Sequence, residues 1–216
     1  MKILTGARSS KLSRAQVAEI KEELFRIRPD VELEPVWADS PGDRDKETSL
    51  RNLPKNDFFT RDLDEMLRAG KVRIAVHSAK DLPDPIPKGL SLIALTRGQD
   101  PRDSLVMRTG ESFERLKPDA RIATSSSRRE EIVKELRDDL LFIDLRGTIE
   151  ERLKKLETGE ADAVVVAEAA LIRLKLTGLN RMILPKETAP LQGRLAVLAR
   201  AGDEEMEQLF HALNAS

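Results

Sequence analysis

Six arginines in this 216-residue chain stand just beyond segments that read as β-strands. Arg8 follows an apolar run at 2–5, and Arg128 and Arg129 follow a serine-rich turn at 124–127. Arg146 comes after a strand at 141–144, with Arg152 about a turn and a half further along the next helix, and Arg173 lies on the helix after 163–167. The planar guanidinium fork suits carboxylate or phosphate, and the turn holding Thr124 and Ser126 offers backbone N–H groups at a helix N-terminus. Taken singly, each of these arginines reads more readily as part of a solvated helix face. Six at such positions point to a ligand with several negative charges. A second feature is His77-Ser78-Ala79-Lys80-Asp81-Leu82-Pro83, at the end of an apolar strand. Asp81 could serve as general acid or base, or as counter-charge to a cationic intermediate. Lys80 could bind an acidic group or hold the Asp81 pKa down. The plainer alternative is that Asp81 caps a turn and Lys80 is solvated. His77, with no second histidine nearby, reads as a hydrogen-bonded strand-end residue. Gly42-Asp43 and Gln192-Gly193 read as turns, and Gly6–Ser10 is too short for a phosphate loop or dinucleotide fingerprint.

The elements that must position these residues alternate between short apolar runs and longer amphipathic ones, which predicts an α/β fold. Expected strands are 2–5, 31–37, 72–76, 90–96, 122–123, 141–144, 163–167, 182–184 and 195–199. Expected helices are 9–28, 61–69 capped by Thr60, one to Leu136, 149–157, 168–174 and 203–213. Residues 40–43 read as a turn, 44–58 as a mobile loop and 77–89 as a proline-rich connection. Crossovers near 97–102 and 186–192 divide the chain into a first lobe, 1–96 plus 192–216, and a second, 97–191. In such folds a ligand lies beyond the strand carboxyl ends, here in a cleft between lobes.

Composition narrows the chemistry. With 37 Lys and Arg against 38 Asp and Glu the net charge is −1, and aromatic residues make up 3%, with Trp37 alone and no tyrosine. General nucleic-acid binding is therefore disfavoured, since net positive charge and stacking platforms are both scarce. Zero cysteines remove disulfides, thiolate metal sites and thiol nucleophiles, and two histidines argue against a multi-histidine metal centre. No apolar run approaches the roughly 20 residues of a membrane span. The N-terminus lacks a signal-peptide core, so the expected location is the cytoplasm.

The same residues carry a family resemblance. Gly6-Ala7-Arg8-Ser9-Ser10-Lys11-Leu12 with Gln16, the 59–67 segment, Val76–Pro83, Asp100-Pro101-Arg102-Asp103, Thr124–Arg129, and Arg146-Gly147 with Arg152-Leu153 occur in the order seen in porphobilinogen deaminases, also called hydroxymethylbilane synthases. The chain resembles that family over its whole length. The resemblance implies two lobes like those of type II periplasmic binding proteins. It implies a transferase of tetrapyrrole and heme biosynthesis that joins porphobilinogen head to tail with release of ammonia, growing the product on a dipyrromethane primer. Each pyrrole carries acetate and propionate groups, which explains the need for arginines. By position, Asp81 matches the catalytic aspartate. Lys80, Arg8, Arg128, Arg129, Arg146, Arg152 and Arg173 match the carboxylate binders, and Ser10, Thr124 and Ser126 match polar contacts.

The departures are also informative. The family's third domain, whose cysteine bonds the primer through a thioether, has no counterpart in these residues, and the expectation is a shortened form. The primer is then held non-covalently or is absent. Ala7, Ala123, Ser127, Thr148, Glu151, Leu191 and Arg194 replace threonine, glycine, leucine, asparagine, threonine, glycine and alanine of the family pattern. Two readings stay open: a minimal, monomeric deaminase without a metal, and a non-catalytic two-lobed receptor for a pyrrole or other small polycarboxylate.

Overall fold

The computed structural model describes residues 1–45, 48, 49, 51, 57–185 and 188–214. The chain divides into two compact units, Met1–Asp45 with Lys55–Gln99 and Leu191–Ser216, and Lys46–Pro54 with Asp100–Pro190. The loop expected over 44–58 falls largely outside the described residues.

The first unit is built on strands β1 (Lys2–Arg8), β2 (Glu32–Ala38), β3 (Ile74–Ser78), β4 (Leu90–Leu95) and β10 (Leu195–Arg200), in the order β2-β1-β3-β10-β4. β1 runs parallel to β2 and β3, while β10 is antiparallel to β3 and β4. β3 and β10 are buried on both faces and sort their side chains by alternation. Ile74, Val76, Leu195, Val197 and Ala199 enter one core with Val17, Ile20 and Phe210. Ala75, Ala196 and Leu198 enter the other with Leu63 and Leu67. The first core is covered by α1 (Lys11–Ile27) and α7 (Glu204–Phe210), the second by α3 (Arg61–Arg68). α1 buries Ser13, Gln16, Val17, Ile20 and Leu24, a stripe at steps of three and four, and Ser10 caps it by accepting from the Ser13 N–H at 3.2 Å.

The second unit holds β5 (Asp103–Met107), β6 (Arg121–Ala123), β7 (Leu141–Ile143), β8 (Ala163–Ala167) and β9 (Arg181–Ile183), in the order β7-β6-β8-β5-β9. Helices α4 (Ser127–Leu136), α5 (Ile149–Glu157) and α6 (Glu168–Arg173) join them. β6 is parallel to β7 and β8, and β5 is antiparallel to β8 and β9. The two sheets thus share one plan. In each, the antiparallel strand beside the third parallel one is the strand that enters after a crossover.

Two elements differ from expectation. β5 has no counterpart among the expected strands, yet all five of its residues are buried. Its apolar run is only Leu105-Val106-Met107, and Asp103 and Ser104 disguise its start because their polar groups are satisfied inside the protein. Residues 40–43 read as a turn but begin a short helix, α2 (Pro41–Arg44). Asp43 stabilises it by accepting from the Ser40 backbone N–H at 2.9 Å and the Ser40 hydroxyl at 2.7 Å. No helix among the described residues is long and apolar enough to cross a membrane.

Leu191 sits at φ 61, in the left-handed region, where the family pattern has glycine. The residue is 40% exposed, so little packing is at stake. The left-handed conformation costs a side-chain-bearing residue about 1–2 kcal/mol, and glycine gives back roughly 0.5–1 kcal/mol in chain entropy. Leu191→Gly is expected to stabilise the protein by up to about 1 kcal/mol, read as a higher urea midpoint with unchanged slope. An equal or lower midpoint would contradict a strained Leu191.

Candidate active site

The sheet directions decide which residues meet. In the first unit the carboxyl ends of β1, β2 and β3 lie along one edge, and antiparallel β10 brings its amino end there. Arg8–Ser10, Asp39–Asp43, Ser78–Asp81 and Gln192–Arg194 therefore share that edge. In the second unit the equivalent edge gathers Asp103, Thr124–Arg129, Asp144–Gly147 and Glu168.

At the first edge, Arg8 lies across the face of Phe59, its guanidinium carbon 4.8 Å from the ring centroid. Its Nε donates to Asp43 Oδ2 at 2.8 Å and its Nη2 to Asp43 Oδ1. Burial drags the Arg8 pKa down, but Asp43, with help from Asp81 and Asp39, outweighs it and the net shift is upward. For Asp43, burial acts upward and is overcome by Arg8 and Ser40, leaving the carboxyl below the usual range. Asp81 follows β3 on a 3-10 turn, Ala79–Asp81, half-buried, and no hydrogen bond among the described residues engages its carboxylate. Lys80 is drawn the other way, its Nζ donating to Oε1 of buried Gln192 at 3.1 Å. Gln16 on α1 donates to Ser78 Oγ at 2.7 Å, tying the first helix to the strand that carries Asp81.

At the second edge, Asp103 is 2% exposed in its side chain and holds two arginines. Arg128 Nη2 donates at 2.6 Å, and Arg129 donates through Nη2 at 2.7 Å and Nε at 3.0 Å. Arg129 is itself buried and also donates to the Val165 carbonyl at 3.4 Å. The hydroxyls of Ser10, Thr124 and Ser126 all accept backbone N–H groups, from Ser13, Ser126 and Arg129. A hydroxyl that accepts keeps its own proton to donate. Arg146 borders a cavity of about 630 Å³ with Asp144, Gly147, Glu151 and Lys154. Glu151, which replaces the family's threonine, turns back to accept from the Thr148 N–H at 2.7 Å and so caps α5. Arg152 donates to the Gly147 carbonyl at 2.8 Å, bracing the loop of Arg146. Arg173, the last residue of α6, is half-buried.

Sequence reasoning misses the acidic and amide partners: Asp43, Asp103 and Gln192, together with Arg51, which pairs with Glu130 at 3.0 Å. Asp43 is hidden by Ser-Pro-Gly, which spells a turn. Asp103 closes the Asp100–Asp103 motif, but nothing local shows that it faces two arginines. His77 also departs from expectation, since its Nε2 is buried with no hydrogen-bond partner among the described residues. Also among them, no group of three or more potential ligands could hold a metal ion.

Burial, aided by the positive charge of Arg8, pushes the His77 pKa down from 6.5 to about 4. Between those values the unfolded chain binds a proton that the native state does not, so stability rises with pH across that window. The gain is expected to be complete above about pH 6.5. Stability should fall by about 3 kcal/mol as pH drops to 4, because each pH step of one between the two values is worth about 1.36 kcal/mol. Urea midpoints measured across this range should lose part of their slope in His77→Gln, and an unaltered slope would refute a neutral buried imidazole. Asp103→Asn should cost about 3–5 kcal/mol, because it strands buried guanidinium charge. A loss under about 1 kcal/mol would mean that water solvates those arginines.

A protein-family model described as porphobilinogen deaminase, dipyromethane cofactor binding domain, matches residues 3–208. Porphobilinogen deaminase of Roseiflexus sp. (strain RS-1) is 38% identical over 215 residues, covering 98% of this chain and 71% of that protein. The enzyme of Rubrobacter xylanophilus is 38% identical over 216 residues, 99% of this chain and 70% of its own length, and that of Streptococcus sanguinis is 38% identical over 221, at 99% and 72%. Among solved structures, the methionine binding protein MetQ superposes with a TM-score of 0.59 at 13% identity, covering 98% of this chain and 89% of that one. An arginine periplasmic binding protein from Legionella pneumophila gives 0.52 at 14% identity, covering 98% and 91%. These last two likenesses are of fold, and they mark the two units as type II periplasmic-binding-protein-like lobes. With its motifs in order and the family model matching nearly end to end, the chain belongs to the porphobilinogen deaminase family.

Proposed function

We propose that this protein is a porphobilinogen deaminase-type transferase, joining porphobilinogen units head to tail into hydroxymethylbilane with release of ammonia. The observation that carries the reading is Asp81, a half-buried carboxylate at a strand end whose oxygens no hydrogen bond occupies among the described residues. Such a group accepts pyrrole N–H and offers its negative charge as the aminomethyl C–N bond breaks and the ring becomes cationic. Arg8, Arg128, Arg146, Arg152 and Arg173, with Lys80, bind acetate and propionate groups, while Ser10, Thr124 and Ser126 donate hydrogen bonds to them through their hydroxyls. Arg129 contributes chiefly by holding Asp103 in place. The two lobes of the sequence-derived division, 1–96 plus 192–216 and 97–191, are read as the supports of these two sets.

The donors present also suit a dipyrromethane. Arg128, Arg146 and Arg152 would hold its carboxylates, and with no cysteine in these 216 residues the hold exerted by them is ionic rather than a thioether. When bound, this group supplies the pyrrole carbon to which the first substrate unit is joined. The reaction requires only a small-molecule partner, and we place it in the cytoplasm, with the chain acting as a monomer.

Purified protein incubated with porphobilinogen should consume it and release linear tetrapyrrole, and Asp81→Ala should lower kcat by about 100-fold or more. Binding without consumption would instead identify a receptor. Mass spectrometry should show a dipyrromethane-sized mass retained under native conditions and lost on denaturation. Retention after denaturation would refute a non-covalent hold.

A further inference from the structure

The Ser40–Arg44 segment has no role in the chemistry so far, yet it is built around Arg8. An arginine presents two donor edges, one of Nε with Nη2 and one of Nη1 with Nη2. Asp43 takes the first edge of Arg8 with both carboxylate oxygens. Asp43 is fixed in turn, since its Oδ2 also accepts from the Ser40 N–H and hydroxyl. Below the guanidinium lies the Phe59 ring, 4.8 Å away. That ring can lie there only because residue 42 is glycine: a Cβ at Gly42 would run into the Phe59 and Phe58 rings. Gly42, Asp43 and Phe59 thus fix the guanidinium plane from the side and from below.

The Nη1 edge is in a different condition. No hydrogen bond occupies it among the described residues, Nη1 is not among the atoms sealed from solvent, and the Arg8 side chain is 26% exposed. Asp81 acts on the same guanidinium electrostatically, so Arg8 lies within range of the catalytic carboxylate.

We propose that Asp43 is a positioning residue: it holds the Nε edge of Arg8 so that the Nη1 edge is presented, in a fixed plane, to a substrate carboxylate. The proposal rests on the deaminase reading above and adds to it a residue that touches no substrate. Long arginine side chains lose rotamer freedom when fixed, and a pre-formed pair meets that cost before the ligand arrives.

The test is a double-mutant cycle read in steady-state kinetics with porphobilinogen. Asp43→Asn is expected to raise KM about tenfold with kcat within about threefold, and to add nothing further in an Arg8→Ala background. Ser40→Ala, which removes one bond to Asp43 and leaves the ion pair, should raise KM by about two- to threefold. This milder variant decides the matter if Asp43→Asn does not fold, an unchanged KM then overturning the proposal. Equal losses from Asp43→Asn in both backgrounds would mean a merely structural role and overturn it. A lower KM in Asp43→Asn would show Asp43 competing with substrate for Arg8, which overturns it too. If Arg8→Ala is severely impaired and Asp43→Asn is normal, positioning by Asp43 fails while the deaminase reading stands. Normal kinetics in both variants would remove Arg8 from the site and the proposal with it.

Discussion

A guanidinium withdrawn from water needs an anion or a set of carbonyls beside it, because its desolvation costs several kcal/mol. At the strand-end edges of both units that requirement has been met from within the protein. Asp43 serves Arg8, Asp103 serves Arg128 and Arg129, and Glu168 serves Arg181, whose Nη2 lies 2.7 Å from Oε1. In Glu168 the bond to Arg181 is the largest influence on the pKa and outweighs burial, leaving the carboxyl below its usual range. These pairs fix where each cation points, and they explain how a chain of net charge −1 can concentrate positive groups at particular edges. The rest of the site depends on them: a fixed fork binds a carboxylate at lower entropic cost than a free one.

The sheets make that arrangement repeatable. Three neighbouring parallel strands deliver their ends to one side, and the antiparallel crossover strand adds its start to the same side. Asp103 opens β5, and Gln192 stands just before β10, so the partner residues in the two units arrive by the same topological route. No sequence repeat signals this, since the two sheets are alike in path rather than in residues. Gln192 binds Lys80, the chain neighbour of Asp81, while Asp103 binds the arginines that follow β6. One scaffold therefore positions unlike chemistry.

Much of this is legible in the sequence, for identifiable reasons. α1 and α5 declare themselves by periodicity and caps, and β8, Ala-Val-Val-Val-Ala, by an apolar run that only a central strand produces. The strand-end arginines and Asp81 are visible because they follow such runs directly. What stays hidden is long-range. β5 is central yet starts with Asp-Ser, and no local rule reveals that the aspartate will be neutralised by arginines 25 and 26 residues away. Gly42-Asp43 spells a turn because its partners, Arg8 and Phe59, lie 34 residues before Gly42 and 17 after it. His77 is expected to bond, since most buried imidazoles do. Its unpartnered Nε2 follows from the surrounding core, which the sequence does not order.

Asp81 gains its meaning by contrast with these pairs. A carboxylate bound on both oxygens by arginine has its charge already compensated, so a new cation beside it gains little. Asp43 and Asp103 are in that condition and serve as fixed structure. Asp81 follows a strand held from two sides, by Gln16 through Ser78 and by the Ala79 N–H donating to the Arg194 carbonyl at 3.0 Å. Its backbone is therefore fixed while no hydrogen bond among the described residues engages its carboxylate, and the neighbouring Lys80 donates to Gln192. A rigidly placed anion whose charge is not matched by a direct partner stabilises a cation without reorganising at the moment the cation forms. That difference in compensation separates Asp81 from Asp43 and Asp103, whose charges are already matched by arginine.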